Sequence, residues 1–194
     1  CDGEWIGILE KTGKKNCLIT VKEQVRVQAS EPGPWLAFAP IKKMRTNFIV
    51  EKATELGAQH LCPVFTQNTN SVRIKTTRMH MHAIEASEQC HRLTVPKIAR
   101  PRFLEEFLSW WPKDRRLFLL DESGSGLSIA KALGDLRSSS NGLFKDCGFL
   151  TGPEGGFDAN ELAALGKLSF VVRLHLGSRI LRAETAALSA MACW

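Results

Sequence analysis

From Pro34 onward the chain alternates short apolar runs with segments of helical periodicity, and no other feature limits its fold so strongly. "PWLAFAP", "HLCPVFT", "RRLFLLDE", "CGFLTG" and "SFVVRLHL" read as strands. Between them, "KKMRTNFIVEKATELG" places Phe48, Ile49, Ala53 and Leu56 at helical spacing, with Gly57 as a stop. "RMHMHAIEASEQCHR", a short piece from about Ser128 to Leu133, "DANELAAL" and "AETAALSAMA" read as further helices, and "SSSN" as a loop. Parallel strands need crossovers of this kind, so the expected class is α/β with a mostly parallel sheet.

The N-terminal stretch follows another rule. "EWIGILEK" and "NCLITVKEQVRVQ" alternate with period two (Cys17, Ile19, Val21, then Val25, Val27) around the turn-like "TGKKN". "SEPGPW" breaks the pattern, which predicts a boundary near Ser30 to Pro34, with residues 1–33 as one unit and 34–194 as the other. Two or three strands cannot bury a core alone, so the first unit reads as the tail of a small β domain. The chain opens on Cys1 rather than Met, and we read it as a fragment of a longer protein.

Composition narrows the class. Hydrophobic residues make up 44% and charged residues 24%, values of a chain with a packed core. No apolar run reaches membrane-spanning length, and Asp2 and Glu4 break any leader at the visible start. The six cysteines are scattered without a CxxC pair, which predicts reduced thiols and a cytoplasmic protein. No metal site is expected, since His80 and His82 stand two apart and do not converge on one helix face.

The net charge of +6 is unevenly spread. Arg73, Lys75, Arg78, Arg92, Lys97, Arg100 and Arg102 face only Glu85 and Glu88 between Asn68 and Arg102, which points to an anionic partner. Within this stretch Glu85, Glu88, Gln89 and Arg92 fall at helical spacings. They read either as a shared polar face or as the intrahelical pairs of a surface helix.

In parallel sheets ligands bind beyond the carboxyl ends of strands, and three loops occupy such places. "DESGSGLS", Asp121 to Ser128, is a weak imitation of a dinucleotide fingerprint, with Ile129 where a third glycine belongs. "LTGPEGGF", Leu150 to Phe157, carries more glycine than a plain connection needs, and Asp158 with Glu161 predicts an acidic capping box. "HLGSRILRAETAAL" puts Arg182 where a helix begins, a position at which a cation opposes the macrodipole. Two such loops at neighbouring strand ends would form one concave pocket.

"KATELGA", "EQCHR" followed by "VP", "LTGPEGGF" and "LHLGSRILRAETAALSA" together resemble the RsmE-type methyltransferases of the SPOUT class, over essentially the whole chain. That resemblance implies methylation of uridine N3 in small-subunit (16S) ribosomal RNA with S-adenosylmethionine, within the small ribosomal subunit. It also implies a C-terminal trefoil knot, a homodimer, and a PUA-like β-barrel to which the N-terminal strands belong.

Carried over by position, the cofactor loops are Leu150, Thr151, Gly152, Pro153, Glu154, Gly155 and Gly156, then Leu176, Gly177, Ile180 and Leu181, with Leu120 to Glu122 beside them. Arg182 is the candidate for stabilising charge on the uracil carbonyls, and Glu154 or Glu184 for positioning it or assisting proton removal. Gln89, Arg92, Arg73, Lys75 and Arg78 are candidates for gripping RNA phosphates. The rival readings are a SPOUT ribose 2′-O-methyltransferase, disfavoured by "ILRAETA" in place of a Ser-Leu-Asn type motif, and a catalytically silent RNA-binding protein of the same fold. A Rossmann nucleotide enzyme comes third.

Overall fold

The structure, a computed structural model, describes residues 2–70, 73–139 and 147–194. Strands β1 (Glu4–Thr12) and β2 (Cys17–Arg26) form an antiparallel hairpin, closed where Gly13 N donates to Asn16 O at 2.7 Å. The predicted alternation is realised, yet both faces meet solvent: Trp5, Ile6, Ile8, Leu9, Leu18, Ile19 and Val21 are all exposed.

The remainder runs β3 (Trp35–Phe38), α1 (Lys43–Glu55), β4 (His60–Phe65), α2 (Thr76–Gln89), β5 (Lys97–Ile98), β6 (Arg102–Phe103), α3 (Leu104–Trp110) and β7 (Arg116–Leu120). It continues with β8 (Leu127–Ser128), α4 (Ile129–Ser139), β9 (Cys147–Thr151), α5 (Ala159–Gly166), β10 (Val171–His175) and α6 (Ala183–Cys193). The sheet order is β5-β4-β3-β9-β7-β10-β8, with β6 beside β4, and every pairing is parallel.

Alternate residues of the central strands feed two cores, one on each face of the sheet. Leu36, Phe38, Phe118, Leu120 and Phe149 meet α1, α2, α4 and α6 on one side. Ala37, Leu117, Leu119 and Leu150 meet α3 and α5 on the other. Strands covered on both faces must be apolar throughout, which is why "RLFLL" and "CGFLT" show no alternation.

Several elements differ from expectation. Ile49 and Ala53 are buried in α1, but Phe48 and Leu56 are exposed, and Val50 completes the inward stripe. The helix ends as predicted at Gly57, whose φ of 86° is costly for any other residue. Gly57 N bonds Thr54 O and Ala58 N bonds Ala53 O, closing a Schellman motif. Helix α4 runs on to Ser139, past the expected end at Leu133, because extending a packed helix costs less than starting one. Ser138 returns its hydroxyl to Gly134 O at 3.0 Å, and Ser140 and Asn141 of "SSSN" lie outside the described residues. Helix α3 was not foreseen, although Leu104, Phe107 and Leu108 carry the right spacing and Glu105 and Glu106 favour its first turn. Among the described residues no helix is long and apolar enough to cross a membrane.

Candidate active site

Strands β9, β7 and β10 lie side by side, so the loops after them emerge together at the carboxyl edge of the sheet. Those are the three loops singled out by sequence. Contrary to the expectation of neighbouring strand ends, the second and third flank β7, so the loop after β7 fills the gap between them. Together they enclose a cavity of about 510 Å³. That size suits a small-molecule ligand.

The loop after β9 contributes Thr151, Gly152, Pro153, Glu154, Gly156 and Phe157. Gly156 N bonds Pro153 O at 2.9 Å, making a tight turn, and Asn68 Nδ2 donates to Gly155 O and Gly156 O at 3.1 and 3.2 Å. The predicted capping box is present: Asp158 accepts from Asn160 N, and Glu161 Oε2 accepts from Asp158 N at 2.8 Å. Glu161 Oε1 also accepts from Gln67 N at 2.9 Å, so the β4–α2 loop is pinned against this wall. Phe157 and Leu162 line the cavity from the positions before the cap and one turn into α5. Their spacing is that of a hydrophobic staple, a signal readable in the sequence and missed there.

The loop after β10 contributes Leu176, Gly177, Arg179, Ile180, Leu181 and Arg182, with Ala183 and Ala186 from α6 behind them. Arg182 occupies the N-cap position of α6, makes no side-chain capping bond and is exposed. From the loop after β7 come Leu120, Asp121, Glu122 and Ser123. Asp121 is buried, accepts from Ser123 N at 2.9 Å and sits 3.6 Å from Arg173 Nη1. The "SGSG" glycines have a steric explanation at Gly126, where a Cβ would stand 2.5 Å from Arg173 O of β10.

Of the other expected cofactor residues, Leu150 is fully buried in the core and Gly155 packs on Asn68, so neither lines the cavity. The two candidate acids separate. Glu154 lines the cavity with its side chain 32% exposed, whereas Glu184 is buried in the first turn of α6 and does not reach it. A residue absent from the sequence reading, Arg45, stands between them.

The basic stretch is thinner than it reads. Helix α2 ends at Gln89, and His91 takes a φ of 57°, which turns the chain before Arg92 and breaks the expected polar face. Arg92 points inward: Nε bonds Glu31 at 2.9 Å, Nη1 and Nη2 bond Ala58 O at 3.3 Å, and further bonds reach Thr54 O and Thr94 Oγ1. Arg102 is buried over the Trp110 ring at 4.2 Å, and Arg100 pairs with Glu106. Arg73, Lys75, Arg78 and Gln89 remain exposed. Glu85 pairs with His82 at 3.4 Å. Cys17, Cys62, Cys90 and Cys193 form no disulfide, and burial pushes the Cys62 thiol up to about 12.

The family model described as an RNA methyltransferase domain matches residues 31–194. The chain belongs to that family. Its RNA methyltransferase domain thus takes in the whole parallel sheet and all three loops of the cavity. The chain is 32% identical to the ribosomal RNA small subunit methyltransferase E of Rickettsia conorii over 98% of its own length and 75% of the relative's. It is 33% identical to the Synechocystis protein of the same name, over 93% of this chain and 57% of that one. Its fold matches the crystal structure of the Neisseria gonorrhoeae ribosomal RNA small subunit methyltransferase E bound to S-adenosyl methionine. There the TM-score is 0.80 at 27% identity, over 96% of this chain and 75% of the other. The sequence resemblance to RsmE-type enzymes is therefore correct.

Proposed function

We propose that this protein, an S-adenosylmethionine-dependent methyltransferase acting on small-subunit (16S) ribosomal RNA, transfers its methyl to N3 of a uridine within the cavity at the ends of β9, β7 and β10. The observation that carries the reading is the convergence of three loops on one cavity with Arg182 on its wall. The residues present fit the cofactor: Leu120, Leu174, Leu176, Ile180 and Leu181 give an apolar wall for a flat ring, and the glycine-rich turns offer backbone groups to polar edges. When bound, S-adenosylmethionine supplies an electrophilic methyl on sulfur.

The chain's own work is alignment and charge. Uridine N3 must lose a proton as its bond to the methyl carbon forms and the carbon–sulfur bond breaks. Arg182 stabilises the negative charge that develops on the uracil carbonyls. Glu154, the cavity-lining acid of the two, accepts the N3 proton directly or through water. Arg73, Lys75 and Arg78 grip RNA phosphates. What supports this is that they follow a loop hydrogen-bonded to the β9–α5 turn, beside the cavity. Calorimetry with S-adenosylmethionine is expected to give one site per chain, and no detectable heat or competition would remove the cavity reading. Changing Arg73 and Lys75 to Ala is expected to weaken RNA binding and flatten its dependence on salt by about one unit of slope per lost phosphate contact. Unchanged salt dependence would move the phosphate track elsewhere.

We also infer the trefoil-knotted, homodimeric arrangement of the SPOUT class; the interleaved order β3-β9-β7-β10 of late and early strands supports the knot. The hairpin β1–β2, with its apolar residues exposed on both faces, fits a role as part of a PUA-like RNA-binding domain ending near residue 33. The setting in this reading is the small ribosomal subunit in the cytoplasm.

A further inference from the structure

The cavity has two walls that are joined behind it by a single side chain. Arg45 lies in the first turn of α1, which contains no acid, so its positive charge opposes the macrodipole and helix stability does not account for it. Its Nε stands 3.5 Å from Glu184 Oε1, and its Nη1 stands 4.0 Å from Glu154 Oε1. Glu154 belongs to the loop after β9, and Glu184 follows Arg182 by two residues at the start of α6. Arg45 does not itself line the cavity. Glu184 is buried, and its Oε2 has no hydrogen-bond partner among the described residues, so Arg45 is its ionic anchor. A buried carboxylate held by one guanidinium has few alternative orientations once the pair is made.

We propose that Arg45 is a positioning residue for methyl transfer, tying Glu184 to Glu154 so that Arg182 and Glu154 keep fixed places on the cavity wall. This rests on the reading of the cavity as the methyl-transfer site. The guanidinium joins the loop after β9 to the first turn of α6, which the chain connects only through α5 and β10, so it fixes their separation directly. Small displacements of catalytic groups cost rate far more than binding, because the reacting atoms must be aligned while the cofactor is held by many other contacts.

The test compares Arg45→Met and Arg45→Lys with the unsubstituted protein. Arg45→Met is expected to lower kcat about 10- to 100-fold, with cofactor affinity by calorimetry and KM for RNA each within about threefold. Arg45→Lys, which keeps the charge, is expected to recover part of the loss. Adding Glu184→Gln to Arg45→Met is expected to cost less than the two changes made separately, in melting temperature as well as in kcat. A folded Arg45→Met with kcat within twofold of the parent overturns the proposal. So does a loss of rate matched by an equal loss of RNA affinity, which would make Arg45 a phosphate contact, or additive effects of the two changes. Absence of any methyl transfer by the unsubstituted protein would instead defeat the reading of the cavity on which the proposal rests.

Discussion

Arg182→Ala is expected to slow methyl transfer about 10²- to 10³-fold while the protein stays folded, the loss typical of removing one donor aimed at developing charge. The structure separates the two consequences cleanly. Arg182 is exposed and makes no capping bond, so its removal takes nothing from the core. Its charge opposes the α6 dipole, so the melting temperature is expected to hold within about 2 °C or to rise slightly. Arg182→Lys is expected to fall between, since an ammonium keeps the charge but lacks the planar fork. Single-turnover rates with purified small-subunit RNA are the measurement. A rate within threefold of the parent contradicts the charge-stabilising role, and a raised KM with unchanged kcat would reassign Arg182 to ground-state binding.

Arg92→Ala is expected to do the reverse: destabilise the fold by about 2–4 kcal/mol while leaving the salt dependence of RNA binding unchanged. The Arg92 side chain is 9% exposed and makes five hydrogen bonds to four acceptor groups. Glu31 belongs to the segment between the hairpin and β3, Thr54 and Ala58 to the end of α1, and Thr94 to the chain after α2. One guanidinium therefore closes the C-terminal end of α1 and fastens the segment leading from the hairpin. Its loss takes charge-assisted bonds from the Thr54 and Ala58 carbonyls, and the partial exposure of Glu31 keeps the effect below that of a fully buried pair. Urea unfolding followed by tryptophan fluorescence would show a lower midpoint with unchanged slope. A shift below about 0.5 kcal/mol, or an RNA affinity that falls with the fold intact, would return Arg92 to the phosphate contacts.

Why is the inward direction of Arg92 not legible in the sequence, when the sheet is? The parallel sheet is written in local patterns: apolar runs of strand length, helical spacing between them, and glycine at Gly57. The capping box at Asp158 is likewise local, and its bonds are present as predicted. The direction of Arg92 depends instead on His91, a non-glycine residue at positive φ, and no spacing rule anticipates that turn. Arg45 was missed for a related reason. Its partners are distant in the chain, and only the tertiary packing of α1 beside α6 and the loop after β9 brings them to it. The same holds for the loop after β7. Its sequence suggested a poor nucleotide motif, whereas its position between β9 and β10 makes it part of the cavity floor. The cations Arg100 and Arg102 show the limit of counting charge: once folded, one is paired and the other buried against an indole ring.

Nucleoside mass spectrometry distinguishes methylation at uridine N3 from every rival product. Small-subunit RNA lacking the modification would be incubated with the purified protein and S-adenosylmethionine, digested to nucleosides and separated. One new product is expected, N3-methyluridine, formed by the unsubstituted protein and strongly reduced with Arg182→Ala. A ribose 2′-O-methylated nucleoside in its place, or no methylated product from a protein that binds both cofactor and RNA, would contradict it.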